Sequence, residues 1–182
     1  MTLQGSAMLR NTLQIGALAL ALSAATAATA QTQAPPPPPA SDFATMAAQS
    51  DQYEIQAGRT ATVQATDPRV RAFAQQMVTD HTRTSQALQQ AASASGLPPP
   101  PPAVGADQSR MLNALQGLTG REFDRAYMKQ QVLAHEQALA VQQTYAAGGK
   151  DPNLRSAAQT AVPLIQHHLE MARQLSSAVG GA

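Results

Sequence analysis

The sequence predicts an all-α protein: a ferritin-like antiparallel four-helix bundle of two helical hairpins, joined by a long Pro-rich crossover with a short extra helix. Helix-forming Ala, Gln and Leu dominate the 182 residues, which include three Phe, three Tyr and no Cys or Trp. Apolar residues recur at helical spacing along four long segments. A helix-start sequence also occurs twice, at Asp67 and 84 residues later at Asp151.

The two copies of this helix start read DPRVRAFAQQMV and DPNLRSAAQTAV, so Asp, Pro, an aliphatic residue, Arg, Ala, Gln and Val recur in register. In each copy the Asp is a predicted N-cap. The Pro follows at the first helical position, where its missing N–H costs nothing. Because a helical pattern precedes each copy, the repeat predicts two helical hairpins built on one plan.

The first hairpin is predicted to consist of two long helices joined by a tight turn. Ser41 is the expected N-cap of a first helix over 42–66. The second helix would begin at Pro68 and stop before Gly96, because a run of five prolines follows and cannot continue it.

The second hairpin is predicted to begin at a capping box formed by Thr119 and Glu122. Its first helix covers 120–147 and would end at a glycine in the C′ position. Its second helix starts after Asp151 and ends near Ser177, and the proline inside it should kink the helix.

A connection of about 24 residues, 96–119, separates the two hairpins. It contains a predicted short amphipathic helix over 107–118. Its proline-rich part alone can span ~30 Å, close to the ~38 Å length of a 25-residue helix. A crossover along the whole bundle is therefore predicted, with simple up-down-up-down topology as the alternative.

Residues 1–30 are typical of a secretory signal peptide. Arg10 supplies a basic n-region, a short apolar run follows, and cleavage is predicted near Ala30. The run is shorter than the ~20 residues of a membrane span, although an uncleaved anchor is the alternative. Residues 31–41 then form a Pro-rich linker and 42–178 the helical domain. We expect a periplasmic or secreted protein without a transmembrane span in the mature chain.

Charge and composition exclude several classes of function. The 12 basic and 11 acidic residues become 11 and 11 once a leader containing Arg10 is removed. A near-neutral chain with few aromatic residues does not suit a nucleic-acid binder, which needs a basic face or stacking platforms. Without Cys there are no disulfides, thiolate ligands or cysteine nucleophiles. The sequence points to no particular protein partner and leaves homo-oligomerisation open.

Four segments that span most of residues 42–178 resemble one bacterial protein family. They read FATMAAQSDQYEIQAG, DPRVRAFAQQMVTDHT, REFDRAYMKQQVLAHEQALA and DPNLRSAAQTAVPLIQHHLEMA. Members of this family are exported, are often labelled as outer membrane proteins, and have no known function. The resemblance implies a ferritin-like four-helix bundle and an exported location, and it implies no activity.

One strongly polar residue is predicted on the inner face of each long helix: Glu54, His81, His135 and His168. Glu54 and His81 lie 13 and 14 residues from the first Asp-Pro turn, and His135 and His168 lie 16 and 17 residues from the second. Because residues at matching heights in antiparallel helices face one another, the four side chains are expected to converge.

Three imidazoles and one carboxylate suit a single divalent transition metal ion, and the pattern leaves Zn, Cu, Fe and Mn open. Such ligands need hydrogen-bonding neighbours, and the candidates are Tyr53, Asp80, Tyr127 and Glu136. One alternative is a buried polar network without metal, in which Glu54 and His81 would satisfy each other. The other is that the four positions diverge.

A di-iron centre is not expected. Such centres use Glu-x-x-His on two helices, but the residues three before the histidines are Val78, Val132 and Ile165. The repeat also does not carry the histidines in register, which favours a single asymmetric site. The sequence favours a non-enzymatic binding or stress-related role in the cell envelope and leaves catalysis open. The alternatives are a metal-dependent redox enzyme and a protein-interaction module.

Overall fold

The computed structural model describes residues 35–181, whose regular structure is entirely helical. The helices are α1 (Ala40–Gln64), α2 (Pro68–Ala94), α3 (Ala106–Leu115), α4 (Gly120–Gly148) and α5 (Pro152–Gly180). The predicted signal peptide at 1–30 and residues 31–34 of the predicted linker lie outside the described residues. Within the described range, no helix combines the length and apolar character needed to cross a membrane.

The helices pack as the predicted ferritin-like bundle. α1 and α2 form one hairpin and α4 and α5 the other, while α1 packs on α4 and α2 on α5. Near the start of α4, Asp124 accepts hydrogen bonds from the backbone of Thr66 and Asp67 at the start of α2. At the opposite end, Ser95 donates to Asp151 before α5. α2 and α4 therefore begin at the same end, so the connection with α3 runs the length of the bundle and up-down-up-down topology is excluded.

The two Asp-Pro helix starts form as the repeat predicts. Asp67 accepts a hydrogen bond from the backbone N–H of Arg69 at 2.8 Å, and Asp151 accepts one from Leu154 at 2.9 Å. Each carboxylate therefore satisfies one of the N–H groups that a helix leaves unpaired at its N-terminus.

The arginine four residues after each Asp also has a repeated role. Arg71 donates to the carbonyl oxygen of Ala65 at 2.7 Å, and Arg155 donates to that of Gly149 at 2.6 Å. Both carbonyls come from the end of the preceding helix, where acceptors lack intrahelical partners. The repeated Asp and Arg thus connect the end of one helix to the start of the next.

The first helix begins differently from the prediction. α1 starts at Ala40 and Ser41 lies inside it, so Ser41 is not the N-cap. Pro39 occupies that position with φ −53° and ψ 153°, and its carbonyl accepts from the N–H of Phe43 at 2.9 Å. The fixed φ of proline already supplies the extended conformation that precedes a helix, so no side-chain cap is needed here.

Both ends of α4 also differ from their predicted chemistry. The capping box of Thr119 does not form, because Gly120 adopts a φ of +60° and redirects the backbone at the helix start. At the other end, Gly149 has a φ of −57° instead of the left-handed value expected at C′. A Cβ at Gly149 would lie 2.5 Å from the ring of Tyr145, so close packing explains this glycine.

The buried side chains form two apolar clusters with polar residues at mid-height between them. The cluster toward the α1–α2 turn includes Phe73 and Phe123. The cluster toward the α4–α5 turn contains Phe43 and Tyr145, whose stacked rings lie 3.8 Å apart. We call the buried polar residues between them the polar layer, and its members are Asp51, Glu54, His81, Gln131, His135 and His168.

Candidate metal centre

Three histidines from three helices meet in the polar layer: His81 from α2, His135 from α4 and His168 from α5. Their ring centroids are 5.6 Å apart for His81 and His135, 5.4 Å for His81 and His168, and 5.5 Å for His135 and His168. One ring nitrogen of each lies within 4.8 Å of the corresponding nitrogens of the other two. This triangle is close to the size that a single ion could draw together.

Helical spacing explains why these rings point inward. His81 comes four residues after the buried Met77, and His168 comes three after the buried Ile165. Side chains three or four residues apart share one face of a helix. Each histidine therefore continues the core stripe of its helix instead of interrupting it.

Two of the three rings are held by carboxylates. Nδ1 of His81 donates to Oδ1 of Asp51 at 2.8 Å, and Nε2 of His168 donates to Oδ2 of Asp80 at 3.1 Å. An ionised carboxylate can only accept hydrogen bonds, so these contacts place the N–H on the nitrogen that faces it. The carboxylates thereby fix both the orientation of each ring and its protonated nitrogen.

The third ring is held by the backbone. Nδ1 of His135 lies 2.8 Å from the carbonyl oxygen of Gln131, one helical turn earlier. Because a carbonyl cannot donate a hydrogen bond, Nδ1 of His135 carries the proton. The helix itself therefore sets the tautomer at this position.

The other nitrogen of each ring is buried and has no hydrogen-bond partner. These atoms are Nε2 of His81, Nε2 of His135 and Nδ1 of His168. A buried polar atom left unpaired is unfavourable by roughly 1–3 kcal/mol. Three imidazole nitrogens that face one another are also the donor set that zinc, copper and other borderline metal ions bind. The residues present therefore fit a metal site of three nitrogens.

The surroundings keep most of the cluster uncharged near neutral pH. Burial lowers the pKa of His135 to about 3 and that of His168 to about 4, and a positive charge on His81 adds to both shifts. Burial also disfavours the charged form of His81, but the hydrogen bond and charge of Asp51 outweigh it and raise the pKa of His81. Two of the three nitrogens are thus free lone pairs at neutral pH.

Glu54 lies beside the three histidines instead of completing their triangle. Its Oε1 is 3.7 Å from Nδ1 of His135, the nitrogen already bound to the Gln131 carbonyl, and its Oε2 has no partner. Burial raises the pKa of Glu54 to about 7, while the charge of His81 opposes that rise. Glu54 and His81 do not form the pair considered from the sequence, because Asp51 occupies Nδ1 of His81.

Of the neighbours expected from the sequence, Asp80 holds a histidine. Tyr53 donates to Gln130 at 3.0 Å, and the hydroxyl of Tyr127 is buried without a partner. Glu136 lies on the surface, where it accepts from Arg173 at 2.7 Å. The helix face on which a residue lies therefore did not show which of these four residues would hydrogen-bond to a histidine.

Sequence reasoning missed Asp51, the partner of His81. A usable signal was present, since Asp51 follows the core residue Ala47 by four positions and precedes Glu54 by three. It therefore lies on the inner face of α1, where a charged side chain requires a partner.

Comparison with known proteins agrees with this architecture. The profile of a family described as "Domain of unknown function (DUF4142)" matches residues 21–175, and the chain belongs to this family. No curated protein matches the chain by sequence.

Two solved structures share the fold. A structure described as "CopM in the Cu(II)-bound form" has 16% identity and a TM-score of 0.67, covering 78% of this chain and 98% of that one. A DUF305 fragment from Deinococcus radiodurans has 16% identity and a TM-score of 0.65, covering 81% of this chain and 100% of that one. Identity this low shows a common fold and nothing further.

Proposed function

We propose that this member of the DUF4142 family binds one divalent transition metal ion in the core of its helical bundle. The ligands in this proposal are Nε2 of His81, Nε2 of His135 and Nδ1 of His168. Glu54 is proposed as a neighbouring carboxylate that can become a fourth ligand if its side chain rotates.

A single observation supports the proposal: one ring nitrogen of each of three buried histidines lies within 4.8 Å of those of the other two, and each ring has one nitrogen without a hydrogen-bond partner. The opposite nitrogens of the same rings are engaged, by Asp51 and Asp80 in two cases. Histidines that ligate metal ions almost always donate their other N–H to a carboxylate, a carbonyl or water. A core that only needed polar filling would pair these nitrogens with one another or with donors.

We propose copper or zinc as the ion, with Cu(II) first. Imidazole suits both ions, and Cu(II) is bound more tightly than Zn(II) by most nitrogen donor sets. The fold is shared with a protein whose structure is described as Cu(II)-bound, which makes copper the first ion to test.

The role that we propose is metal binding without catalysis. All three histidines are at most 1% exposed, so a substrate larger than the ion and its water has no access to them. Catalytic metal sites keep an open position for substrate. A binding or stress-related role in metal handling fits this burial better than a redox or hydrolytic enzyme.

We further propose that the protein acts in the cell envelope. Its leader-like residues 1–30, the linker at 31–41 and the domain at 42–178 follow the organisation of an exported protein. The absence of Cys fits an oxidising compartment, where a free thiol would be reactive. N-terminal sequencing of protein purified from the periplasm tests cleavage near Ala30, and an intact leader there would contradict it.

Metal titration of the purified full-length chain tests the site. Wild type should bind one Cu(II) per chain, and His168→Ala should weaken binding at least about 100-fold, since even outer partners of ligands contribute about 10–100-fold. His167→Ala is the matched control, because His167 is the exposed neighbour of His168. Substoichiometric metal in wild type, or equal affinity in His168→Ala, would overturn the proposal.

A further inference from the structure

The three imidazole nitrogens without hydrogen-bond partners are shielded from solvent, so an ion must pass between helices to reach them. Each histidine is at most 1% exposed. Reaching such a site requires a local opening of the structure, and openings occur most readily where little apolar surface is buried. The route of an ion therefore depends on which pair of helices is filled least well.

The α2–α5 groove is such a place. It encloses about 540 Å³, and small side chains line both walls, including Ala87 and Ala91 from α2 and Ala157 and Ala161 from α5. Methyl groups cannot fill the space between two helix backbones as larger side chains do. The seam between α2 and α5 is thus underpacked next to the polar layer.

The α2–α5 groove also reaches the polar layer. Asp51 lines the groove, and its Oδ1 accepts hydrogen bonds from Nδ1 of His81 and from the hydroxyl of Thr84, both at 2.8 Å. The side chain of Asp51 is 12% exposed while that of His81 is 2% exposed. Asp51 is therefore in contact with the groove on one side and with a proposed ligand on the other.

A second cavity, lined by Tyr53 and Ala134 among others, is a poorer route. It encloses about 190 Å³, and no carboxylate lines it. In the described part of the chain, none of the residues lining this cavity hydrogen-bonds to the three histidines.

We propose that the α2–α5 groove is the port through which a hydrated divalent metal ion reaches the histidines, with Asp51 as its first protein contact. This inference rests on the proposed function. The carboxylate attracts the ion, and Nε2 of His81, the ring nitrogen that does not contact Asp51, then replaces water in its coordination shell. Arg83 lines the groove and is 77% exposed, so its positive charge opposes the approach of a cation.

Stopped-flow mixing of the full-length protein with Cu(II) measures the rate of loading. The chain has three Tyr and no Trp, and Tyr53 and Tyr127 lie close enough to Glu54 of the polar layer to feel its charge, so tyrosine fluorescence reports arrival of the ion. Ala87→Phe fills the groove from an exposed position. It should slow association at least about tenfold while the equilibrium Kd stays within about twofold, because only the path is changed.

Gln86→Phe is the matched control, since Gln86 is exposed on the same helix and lines a different surface. Arg83→Glu is an independent test, because it should raise the loading rate instead of lowering it. It should speed loading several-fold at low ionic strength, and the gain should shrink as salt is added. Ala87→Phe and Gln86→Phe are first compared with wild type by circular dichroism.

Equal loading rates in wild type and folded Ala87→Phe would overturn the port, as would equal slowing by Gln86→Phe. If Ala87→Phe does not fold, an unchanged rate in Arg83→Glu overturns it instead. Failure of wild type to bind Cu(II) in an equilibrium titration overturns the metal site itself. The equilibrium titration and the rates therefore separate failure of the proposed function from failure of the port.

Discussion

Polar side chains are at least partly shielded from solvent both at the Asp-Pro turns and in the polar layer, but the two regions differ in how completely those side chains are hydrogen-bonded. At the first turn, Asp124 accepts three hydrogen bonds, from the N–H and hydroxyl of Thr66 and from the N–H of Asp67. At the second, Asp151 accepts from Ser95 and Leu154. These carboxylates have partners in the protein.

The polar layer has buried atoms without partners. They include one nitrogen of each histidine, Oε2 of Glu54 and both side-chain amide atoms of Gln131. Native proteins rarely leave several such atoms together unless a ligand or a function uses them. The contrast teaches that the carboxylates at the turns hold helix ends together, whereas the polar groups at mid-height keep unpaired atoms that the proposed metal ion would use.

Saturation with metal is expected to have the largest effect on stability, because the ion supplies the missing partners of the polar layer. Free Cu(II) at about 1,000 times Kd should raise the free energy of unfolding by ~4 kcal/mol. Urea denaturation with and without Cu(II) measures this gain. Asp151→Ala should show the same gain as wild type. His168→Ala, whose binding is weakened at least about 100-fold, should gain at most ~1.4 kcal/mol at the same free Cu(II). A full gain in His168→Ala would contradict the assignment.

Removal of Asp124 should have the largest effect among changes at the turns. Asp124→Ala removes the buried carboxylate that accepts from three donors of Thr66 and Asp67. The expected loss is ~3 kcal/mol, from roughly 1 kcal/mol or more for each bond. Chemical denaturation measures the loss, and the Kd for Cu(II) should stay unchanged in the folded protein. A weaker Kd would show that the turn and the layer are coupled.

Acid should destabilise the metal-free protein through the polar layer. With pKa values of about 3 and 4, folded His135 and His168 stay neutral below pH 6.5, where the unfolded chain binds two protons on them. Folded Glu54, with a pKa of about 7, binds one proton that the unfolded chain takes up only near pH 4.5. The unfolded state thus holds one extra proton between these values. Stability should fall by roughly 1.4 kcal/mol per pH unit from 6.5 to 4.5.

Two variants sharpen this pH prediction. His135→Leu removes one of the two imidazoles that are protonated only in the unfolded chain. The folded and unfolded states then bind equal numbers of protons, so the free energy of unfolding should be nearly independent of pH over the same range. Glu54→Gln removes the opposing carboxyl, so the slope should roughly double. Thermal unfolding of metal-free protein across this range measures all three slopes, and identical slopes would mean that other groups dominate.

Removal of either helix cap, Asp67 or Asp151, should lower the free energy of unfolding least, and the two losses should differ. Asp67→Ala removes a cap worth about 1 kcal/mol, and its exposed pairing with Arg69 adds little. Asp151→Ala should cost slightly more, because the hydroxyl of Ser95 also loses one of its two acceptors and keeps only the carbonyl oxygen of Ala91. Denaturant midpoints measure both, with Asp→Asn at each site as the control that keeps an acceptor. Equal losses would show that the bond to Ser95 contributes nothing.

The fold was largely predictable because its determinants are local. The Asp-Pro starts of α2 and α5 depend on residues that are adjacent in the chain, and both formed as expected. The start of α1 was misplaced, since proline and serine competed for the cap position. The length of the connection and its prolines indicated the crossover, and contacts such as that of Asp124 established it.

The candidate site was predictable only in part. Periodicity alone placed His81, His135 and His168 on inner faces, and their distances from the turns placed them at one height. The sequence thereby determined a fold and a polar layer, because helix phase and helix length follow from local pattern. The tertiary structure decided which ring nitrogens are engaged, that Asp51 holds His81 across 30 residues, and that Glu54 stands beside the triangle. Those outcomes depend on how each helix is rotated and which rotamer its neighbours allow, and packing sets both.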